Sequence, residues 1–355
     1  MGDTKLMKGN EAFAEAAIRA GCDAYFGYPI TPQSEVMEYL AAQQPHLRTG
    51  MVLLQAESEV AAINMVYGAA GTGKKVMTSS SSPGISLKQE GISYLAGSEL
   101  PCLILNVMRG GPGLGTIQPS QSDYFQATKG GGHGDYRMIV LAPASVQEMA
   151  DFVKIGFELA FKYRNPVMML SDGIIGQMME KVELFDQIPR LTEFDQQWAT
   201  TGKPPDRERN IITSLDLDPA RHERHNQKLQ VKYQKIRDNE VRYEAIDCDD
   251  ADYLFVAYGS CARICQRSVK LARDRGIKAG LIRPITLFPF PSVEIHRMAG
   301  KLKGILTVEM SSGQMIEDVR LAVDGKIPVA LHGRMGGMVP SPEEVFEALI
   351  KSFSI

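Results

Sequence analysis

The chain has 355 residues, 44% of them hydrophobic and 23% charged, and its formal net charge is −3. Two or three domains with proper cores fit that length, and the balance is that of an ordinary soluble globular protein. The small charge gives no electrostatic reason to expect nucleic acid, and no stretch reaches the roughly 18 apolar residues of a membrane span.

In chain order, Met1 to Asn10 carries charges and no apolar run, so no signal peptide is expected. Asn10 is placed to cap a helix whose Phe13, Ala16, Ala17 and Ala20 recur at helical spacing until Gly21 ends it. Ala24-Tyr25-Phe26-Gly27 reads as a short buried strand, and similar apolar runs follow at 51–54, 76–79, 103–108, 138–141 and 167–170. Helical patterns separate them, notably at 59–70, 87–95 and 146–163. Strands alternating with helices predict an α/β fold over residues 1–180, with a largely parallel sheet covered on both faces.

From 181 to 250 the pattern changes. Arg207, Arg209, Arg221, His222, Glu223, Arg224, His225 and Lys228 crowd a segment of little strand character. Gly202-Lys-Pro-Pro-Asp reads as a loop and 221–244 as an exposed charged helix. The segment is either an extended connection wrapping over a neighbour or a solvated linker helix. A second α/β block occupies 251–355, with strands at 253–257, 279–282, 304–308 and 328–331. Its helices lie at 263–275, at 314–323 and from Ser341 onward, and Pro284 with Phe288-Pro-Phe-Pro predicts a rigid crossing. Five cysteines (22, 102, 248, 261 and 265) form no Cys-x-x-Cys pair, which argues against disulfides and against an iron–sulfur or zinc site in this chain. A reducing cytoplasm is the expected compartment.

Gly68-Ala-Ala-Gly-Thr-Gly73-Lys74-Lys75 nearly matches a phosphate-binding loop, but Lys75 stands where a magnesium-binding hydroxyl is needed. A phosphate loop also follows a strand and opens a helix, whereas these glycines close a helix and precede a strand.

Three places in the first block carry chemistry. Gly27-Tyr-Pro-Ile-Thr-Pro-Gln-Ser34 follows a strand, at the end of a parallel sheet where ligands bind, and two prolines restrain Thr31. Thr31 is either a helix cap with Pro32 in the first turn or a directed hydroxyl. Gln55-Ala-Glu57-Ser-Glu59 lies at another strand end, and Glu59 opens an uncharged helix expected to be buried between layers. Its carboxylate either complements the helix dipole or works in a dry site. Ser79-Ser-Ser-Ser-Pro-Gly84 and Asn106-Val-Met-Arg109-Gly-Gly-Pro-Gly113 end two more strands. Arg109 suits bidentate capture of a carboxylate, or else a structural pair with an acid. His133, in Lys129-Gly-Gly-Gly-His133-Gly-Asp135, reads as a turn histidine or a base.

These motifs together resemble the α, pyrimidine-binding subunit of 2-oxoacid:ferredoxin oxidoreductases. The resemblance rests on Tyr28-Pro-Ile-Thr-Pro, Gln55-Ala-Glu-Ser-Glu-Val-Ala-Ala, the serine turn before Pro83-Gly84, Arg109-Gly-Gly-Pro, His133-Gly-Asp-Tyr and Arg283-Pro-Ile-Thr-Leu-Phe-Pro-Phe-Pro, and it spans nearly the whole chain. It is nearest to the branched-chain, 2-oxoisovalerate subtype, with 2-oxoglutarate enzymes next. It implies a thiamine-diphosphate-binding-type parallel sheet domain followed by a transketolase-C-terminal-like α/β domain. It further implies coenzyme A-dependent oxidative decarboxylation of a 2-oxo acid to acyl-CoA and carbon dioxide, with reduction of ferredoxin.

By the same resemblance, Glu59 rather than Glu57 hydrogen-bonds the aminopyrimidine ring of thiamine diphosphate, supporting removal of the thiazolium proton. Pro29 and Ile30 lie against the cofactor, Thr31 touches the oxo or carboxylate oxygens of the substrate, and Arg109 binds its carboxylate. The family's Gly-Asp-Gly and asparagine signature for magnesium diphosphate is missing, and Ser171-Asp-Gly173 reads as a strand-end turn. Magnesium and [4Fe-4S] clusters are therefore expected on partners: a thiamine-diphosphate-binding β subunit, a γ subunit and a ferredoxin-like δ subunit, with external ferredoxin as acceptor. Two other readings stay open, a non-catalytic scaffold subunit of such a complex and a phosphate-loop-like nucleotide binder.

Overall fold

The computed structural model describes residues 3–190 and 197–355; Met1, Gly2 and residues 191–196, the last within the expected connection, lie outside the described residues. The chain opens with β1 (Asp3–Lys8) and α1 (Gly9–Arg19). Asn10 does not cap this helix: the N-cap is Lys8, whose N–H donates to the Glu11 carboxylate at 3.0 Å. Asn10 is buried in the first turn, where its amide donates to Pro32 O at 2.7 Å and to Glu35 Oε2 at 3.0 Å. Its polar side chain serves a tertiary contact in place of a local one.

Next come β2 (Ala24–Gly27), α2 (Ser34–Gln43), the short α3 (Pro45–Arg48), β3 (Val52–Gln55) and α4 (Glu59–Gly71). They are followed by β4 (Val76–Ser80), α5 (Ser82–Gly97), β5 (Cys102–Met108), α6 (Tyr124–Thr128), β6 (Ile139–Leu141) and α7 (Val146–Tyr163). The first block ends with β7 (Pro166–Asp172), α8 (Gly173–Gln177) and β8 (Met179–Leu184). After it come α9 (Pro219–Asn239), β9 (Tyr243–Ile246), β10 (Tyr253–Val256), α10 (Gly259–Asp274), β11 (Ala279–Pro284) and β12 (Thr286–Phe288). The remainder is α11 (Ser292–Ala299), β13 (Gly304–Glu309), α12 (Met315–Val323), β14 (Val329–Gly333) and α13 (Pro342–Phe353).

The first sheet has seven strands in the order β12-β6-β7-β5-β4-β2-β3, all parallel except β12, which runs antiparallel to β6. Its central strands β4, β5 and β7 are buried at every position, as a parallel sheet covered on both faces requires. The second sheet, β14-β13-β10-β11-β9, is parallel apart from its antiparallel edge β9. A small pair, β1 with β8, closes the first block.

Residues 181–250 do more than connect. β8 lies at their start, and β9 near their end completes the second sheet. The charged helix α9 covers 219–239 and not 221–244, and it buries Leu229, Tyr233 and Ile236 as a stripe at spacings of four and three. It packs on the first block of its own chain, with His225 Nε2 at 2.7 Å from Gly97 O and both Lys228 and Lys232 paired to Glu99. The proline crossing goes further than expected too. β12 leaves the second block and adds an edge strand to the first sheet.

The near phosphate loop closes α4, whose C-cap is Thr72, and Gly73 takes a positive φ of 79° before β4. Lys75 Nζ donates to Ala20 O at 3.1 Å. The glycines end a helix, as their order predicts.

Candidate active site

Four motifs converge because four strands are neighbours. In the order β5-β4-β2-β3 all run parallel, so their carboxyl ends lie along one edge of the sheet. The loop 28–33 leaves β2, Glu57 and Glu59 follow β3, the serines end β4, and Arg109 follows β5. Such an edge is where open α/β sheets bind ligands.

Glu59 is the first residue of α4, whose N-cap Ser58 accepts a hydrogen bond from Ala61 N at 3.1 Å. With the cap made by Ser58, the Glu59 side chain is free to turn inward. It is buried at 7% exposure, yet among the described residues its carboxylate accepts no hydrogen bond. Glu57 is exposed. The floor beneath Glu59 is Gly84: a Cβ there would stand 2.7 Å from Glu59 Oε1 and 2.1 Å from Ser80 Oγ. Only glycine lets the carboxylate and the serine come this close to α5. Ser80 Oγ, Ser81 Oγ and Asn106 Oδ1 are likewise buried without a partner among the described residues.

The expected burial of α4 between layers needs correction. Ala62, Ile63, Val66 and Ala70 face the core, but Val60 (44% exposed) and Met65 (37%) face outward. They join Val52 (49%) and Leu54 (39%) of β3, the edge strand. An uncharged helix in the sequence therefore marks two apolar faces, one of them left open in the isolated chain.

Thr31 and Arg109 are brought together. Arg109 is 7% exposed; its Nη1 donates to Thr31 O at 3.0 Å and its Nη2 to Leu114 O at 3.1 Å, and its Nε is buried without a partner. Among the described residues no acid pairs with it, so the structural pair weighed from the sequence is not formed there. Arg109 instead clamps two loops by their carbonyls and keeps donors in reserve. Thr31 and Pro29 are exposed and Ile30 is half-buried. Thr31 does not cap α2, whose N-cap is Gln33. The buried Gln33 reaches Ser79 Oγ at 2.5 Å and Tyr28 O at 3.3 Å, tying this loop to the serine strand end.

Behind Arg109, Ser82 Oγ accepts from Arg109 N at 3.1 Å and donates to Asp123 Oδ2 at 2.6 Å. Burial pushes the Asp123 carboxyl up, against hydrogen bonds from Ser82 and Asn106 that pull it down. Ser82 and Asp123 border a cavity of 620 Å³ that runs between the two blocks to Ser311 and Gln314. A larger cavity of 760 Å³, at Arg137, Arg237 and Phe288, touches none of the four motifs. His133 is exposed and meets the Tyr94 ring edge-on at 6.3 Å, the arrangement of a turn histidine.

Two groups were missed from the sequence. Gly84 was read only as part of a turn. Lys88, unremarked, is fully buried on α5, and its position four residues after Gly84, inside the stripe Gly84-Ile85-Gly91-Ile92-Leu95, was the available signal. Asp172 proves to be more than a strand-end turn. Its Oδ1 caps α8 at Ile174 N (3.0 Å) and Ile175 N (3.2 Å), and its Oδ2 accepts from Ser260 Oγ (2.7 Å) and Ser260 N (3.2 Å). Both oxygens are engaged within the protein.

The sequence matches two family profiles: the thiamine-diphosphate-binding domain of pyruvate flavodoxin/ferredoxin oxidoreductases over residues 15–245, and pyruvate:ferredoxin oxidoreductase core domain II over 251–345. The chain is 52% identical over 346 residues to ketoisovalerate oxidoreductase subunit VorB of Methanothermobacter thermautotrophicus, covering 98% of this chain and 97% of that protein. It is 36% identical over 368 residues to 2-oxoglutarate synthase subunit KorA of Methanocaldococcus jannaschii, covering 98% and 99%. In three dimensions it matches a 2-oxoglutarate:ferredoxin oxidoreductase from Magnetococcus marinus with a TM-score of 0.88 and 29% identity, over 99% of this chain and 66% of that one. A split-gene transketolase shares the fold alone, with a TM-score of 0.58 and 14% identity. The expected order of a thiamine-diphosphate-binding-type domain and a transketolase-C-terminal-like domain is thus the observed one. The chain belongs to the 2-oxoacid:ferredoxin oxidoreductase family, as a thiamine-diphosphate-binding, α-type enzymatic subunit.

Proposed function

We propose that this chain supplies the pyrimidine-binding half of an active site, completed by a partner chain, that decarboxylates a 2-oxo acid oxidatively and passes the acyl group to coenzyme A and the electrons to ferredoxin. The observation that carries this reading is the buried Glu59 carboxylate, which has no hydrogen-bond donor among the described residues and stands over the Gly84 floor. A carboxylate largely withdrawn from water needs a donor, and a protonated ring nitrogen supplies one. Thiamine diphosphate, when bound, serves as nucleophile and electron sink for the decarboxylation. Glu59 holds the proton of the pyrimidine ring nitrogen, Pro29 and Ile30 flank the ring, and Gly84 leaves room for the contact. Thr31 and the remaining N–H groups of Arg109 hold the oxygens of the substrate.

The magnesium-diphosphate half and the clusters come from other chains in this reading. The open apolar face of α4 and β3 is where a partner closes the site. The described residues contain no helix long and apolar enough to cross a membrane, and the reading places the complex in the cytoplasm.

The side chain of the acid has two supported readings. Branched-chain 2-oxoisovalerate is favoured by the relative at 52% identity, and 2-oxoglutarate by the solved Magnetococcus structure and by relatives at 36–39%. Turnover of the purified complex with a panel of 2-oxo acids, coenzyme A and ferredoxin decides between them by the ratio of kcat/KM values. A complex containing this chain that decarboxylates no 2-oxo acid would overturn both. The purified chain alone is expected to bind thiamine diphosphate weakly; submicromolar affinity in calorimetry with magnesium would refute the shared site.

A further inference from the structure

Among the described residues Lys88 is the one fully buried ammonium in the wall of the site, and the roles of Glu59, Thr31 and Arg109 do not involve it. Its Nζ donates to Thr78 Oγ1 at 2.7 Å and to Ser79 O at 3.0 Å, which leaves its third N–H without an acceptor among the described residues. A methionine would fill the same volume without the cost of burying a charge. Lys88 follows Gly84 by one helical turn, so both lie on the face of α5 that Glu59 rests against. The elements packed on α5 bring few charges to that face. They include α4, with Glu59 and the Tyr67 hydroxyl, the latter bonded to Ser98; β5, with the Cys102 thiol at its start; and β7, whose Asp172 is engaged by α8 and α10. The other titratable groups there are Asp123, bonded to Ser82 and Asn106, and the hydroxyls of Tyr136 on Gln89 and Tyr25 on Ser79. Burial pushes the Lys88 ammonium down to about 7, and the opposing influence that raises it is the charge of Glu59.

We infer that Lys88 is a positioning residue for Glu59: its ammonium is a buried counter-charge that weakens the hold of the Glu59 carboxylate on a shared proton, so that the proton passes to the ring nitrogen held against it. This rests on the assignment of Glu59 to the pyrimidine ring. A positive charge behind a carboxylate lowers its proton affinity, and in a dry wall the effect is little screened.

The test has two arms. In the assembled complex loaded with thiamine diphosphate, deuterium exchange of the thiazolium proton is followed against pH for wild type, Lys88→Met and Glu59→Gln. Lys88→Met is expected to slow exchange about tenfold at neutral pH, the equivalent of one pKa unit of lost interaction, and to displace the pH profile. A merely structural lysine would change the melting temperature and leave the profile in place, and that result overturns the inference. Unchanged exchange in Glu59→Gln would instead sink the reading of Glu59 itself. The second arm needs neither cofactor nor a Lys88 variant. Coupling between two charges is reciprocal, so the Lys88 midpoint, read by lysine-resolved NMR on the full chain, must fall in Glu59→Gln. A midpoint that stays where it is in wild type overturns the inference even where every Lys88 variant fails to fold.

Discussion

The open edge of the seven-stranded sheet and the seam between the two blocks are both rich in buried polar groups, and they treat those groups in opposite ways. At the seam the partners are internal. Asp172 accepts from α8 and α10, Gln121 donates to Tyr258 O at 2.9 Å and accepts from Met310 N at 3.1 Å, and Arg283 grips Glu148 with both Nη atoms at 2.6 and 2.7 Å. At the sheet edge Glu59, Ser80, Ser81, Asn106 and the Nε of Arg109 are left wanting. The seam is not perfect, since Arg283 Nε has only an ion-pair contact with Glu244 at 2.9 Å. Burying a polar atom without a partner is costly, however, and the concentration of such atoms at the edge marks it as a place where something else binds.

Four substitutions sharpen or break that contrast, and the largest effect belongs to Glu59. Glu59→Gln in the assembled complex is expected to leave assembly intact and to lower turnover roughly 10²–10⁴-fold, the range of a general acid–base contribution. A loss of only about 0.3–1 kcal/mol of stability with turnover preserved would make Glu59 a dipole-complementing acid and no more. Arg109→Met comes next, weakening use of the 2-oxo acid by about 2–4 kcal/mol in kcat/KM while thiamine affinity barely moves. Equal losses in substrate use and cofactor binding would mean that its clamp on Thr31 and Leu114 is its whole task.

The third probe belongs to the seam. Asp172→Ala removes four accepted hydrogen bonds from a buried carboxylate and should cost about 2–3 kcal/mol in denaturant unfolding, with the site chemistry untouched in the folded complex. Burial raises the Asp172 carboxyl above its ordinary value, against the hydrogen bonds from Ser260, Ile174 and Ile175. The folded state then holds this proton more tightly than the unfolded chain does. The stability that protonation brings is complete below the ordinary aspartate range and is lost as pH rises through the raised value. Wild type minus Asp172→Ala should therefore show a stability difference that declines with rising pH through that window; an increase would reverse the assignment. Smallest is Gly84→Ala, where a Cβ 2.7 Å from Glu59 Oε1 must displace the carboxylate. About 1–3 kcal/mol of overpacking is expected to appear in thiamine affinity of the complex. An alanine at this helical position that binds cofactor normally would show the floor to be less tight than it looks.

Much of the edge was legible because its signals are local. Strand runs, the turn residues after them and the acid opening α4 are short-range patterns, and parallel order carries their ends to one side. The mistakes came where a residue answers to a distant partner. Asn10 looks like a cap and instead bonds Pro32 and Glu35. Asp172 looks like a turn and instead joins α8 to α10. An uncharged α4 looked sealed on all sides, because periodicity reports that a face is apolar and not what covers it.

By itself the sequence determined the two α/β blocks, the alternation that makes the sheets parallel, the failure of the near phosphate loop, and the choice of Glu59, Thr31 and Arg109 as candidates. Those are properties of spacing and residue type, which act within a turn or a strand. Only the tertiary structure decided that β12 crosses into the first sheet, that Arg109 holds Thr31 by its carbonyl, that Gly84 lies under Glu59, and that Lys88 is buried behind the serine strand end. Each of these depends on which strands become neighbours, and that is settled by long-range packing of whole elements, where a side chain far away in sequence supplies the partner that local chemistry leaves open.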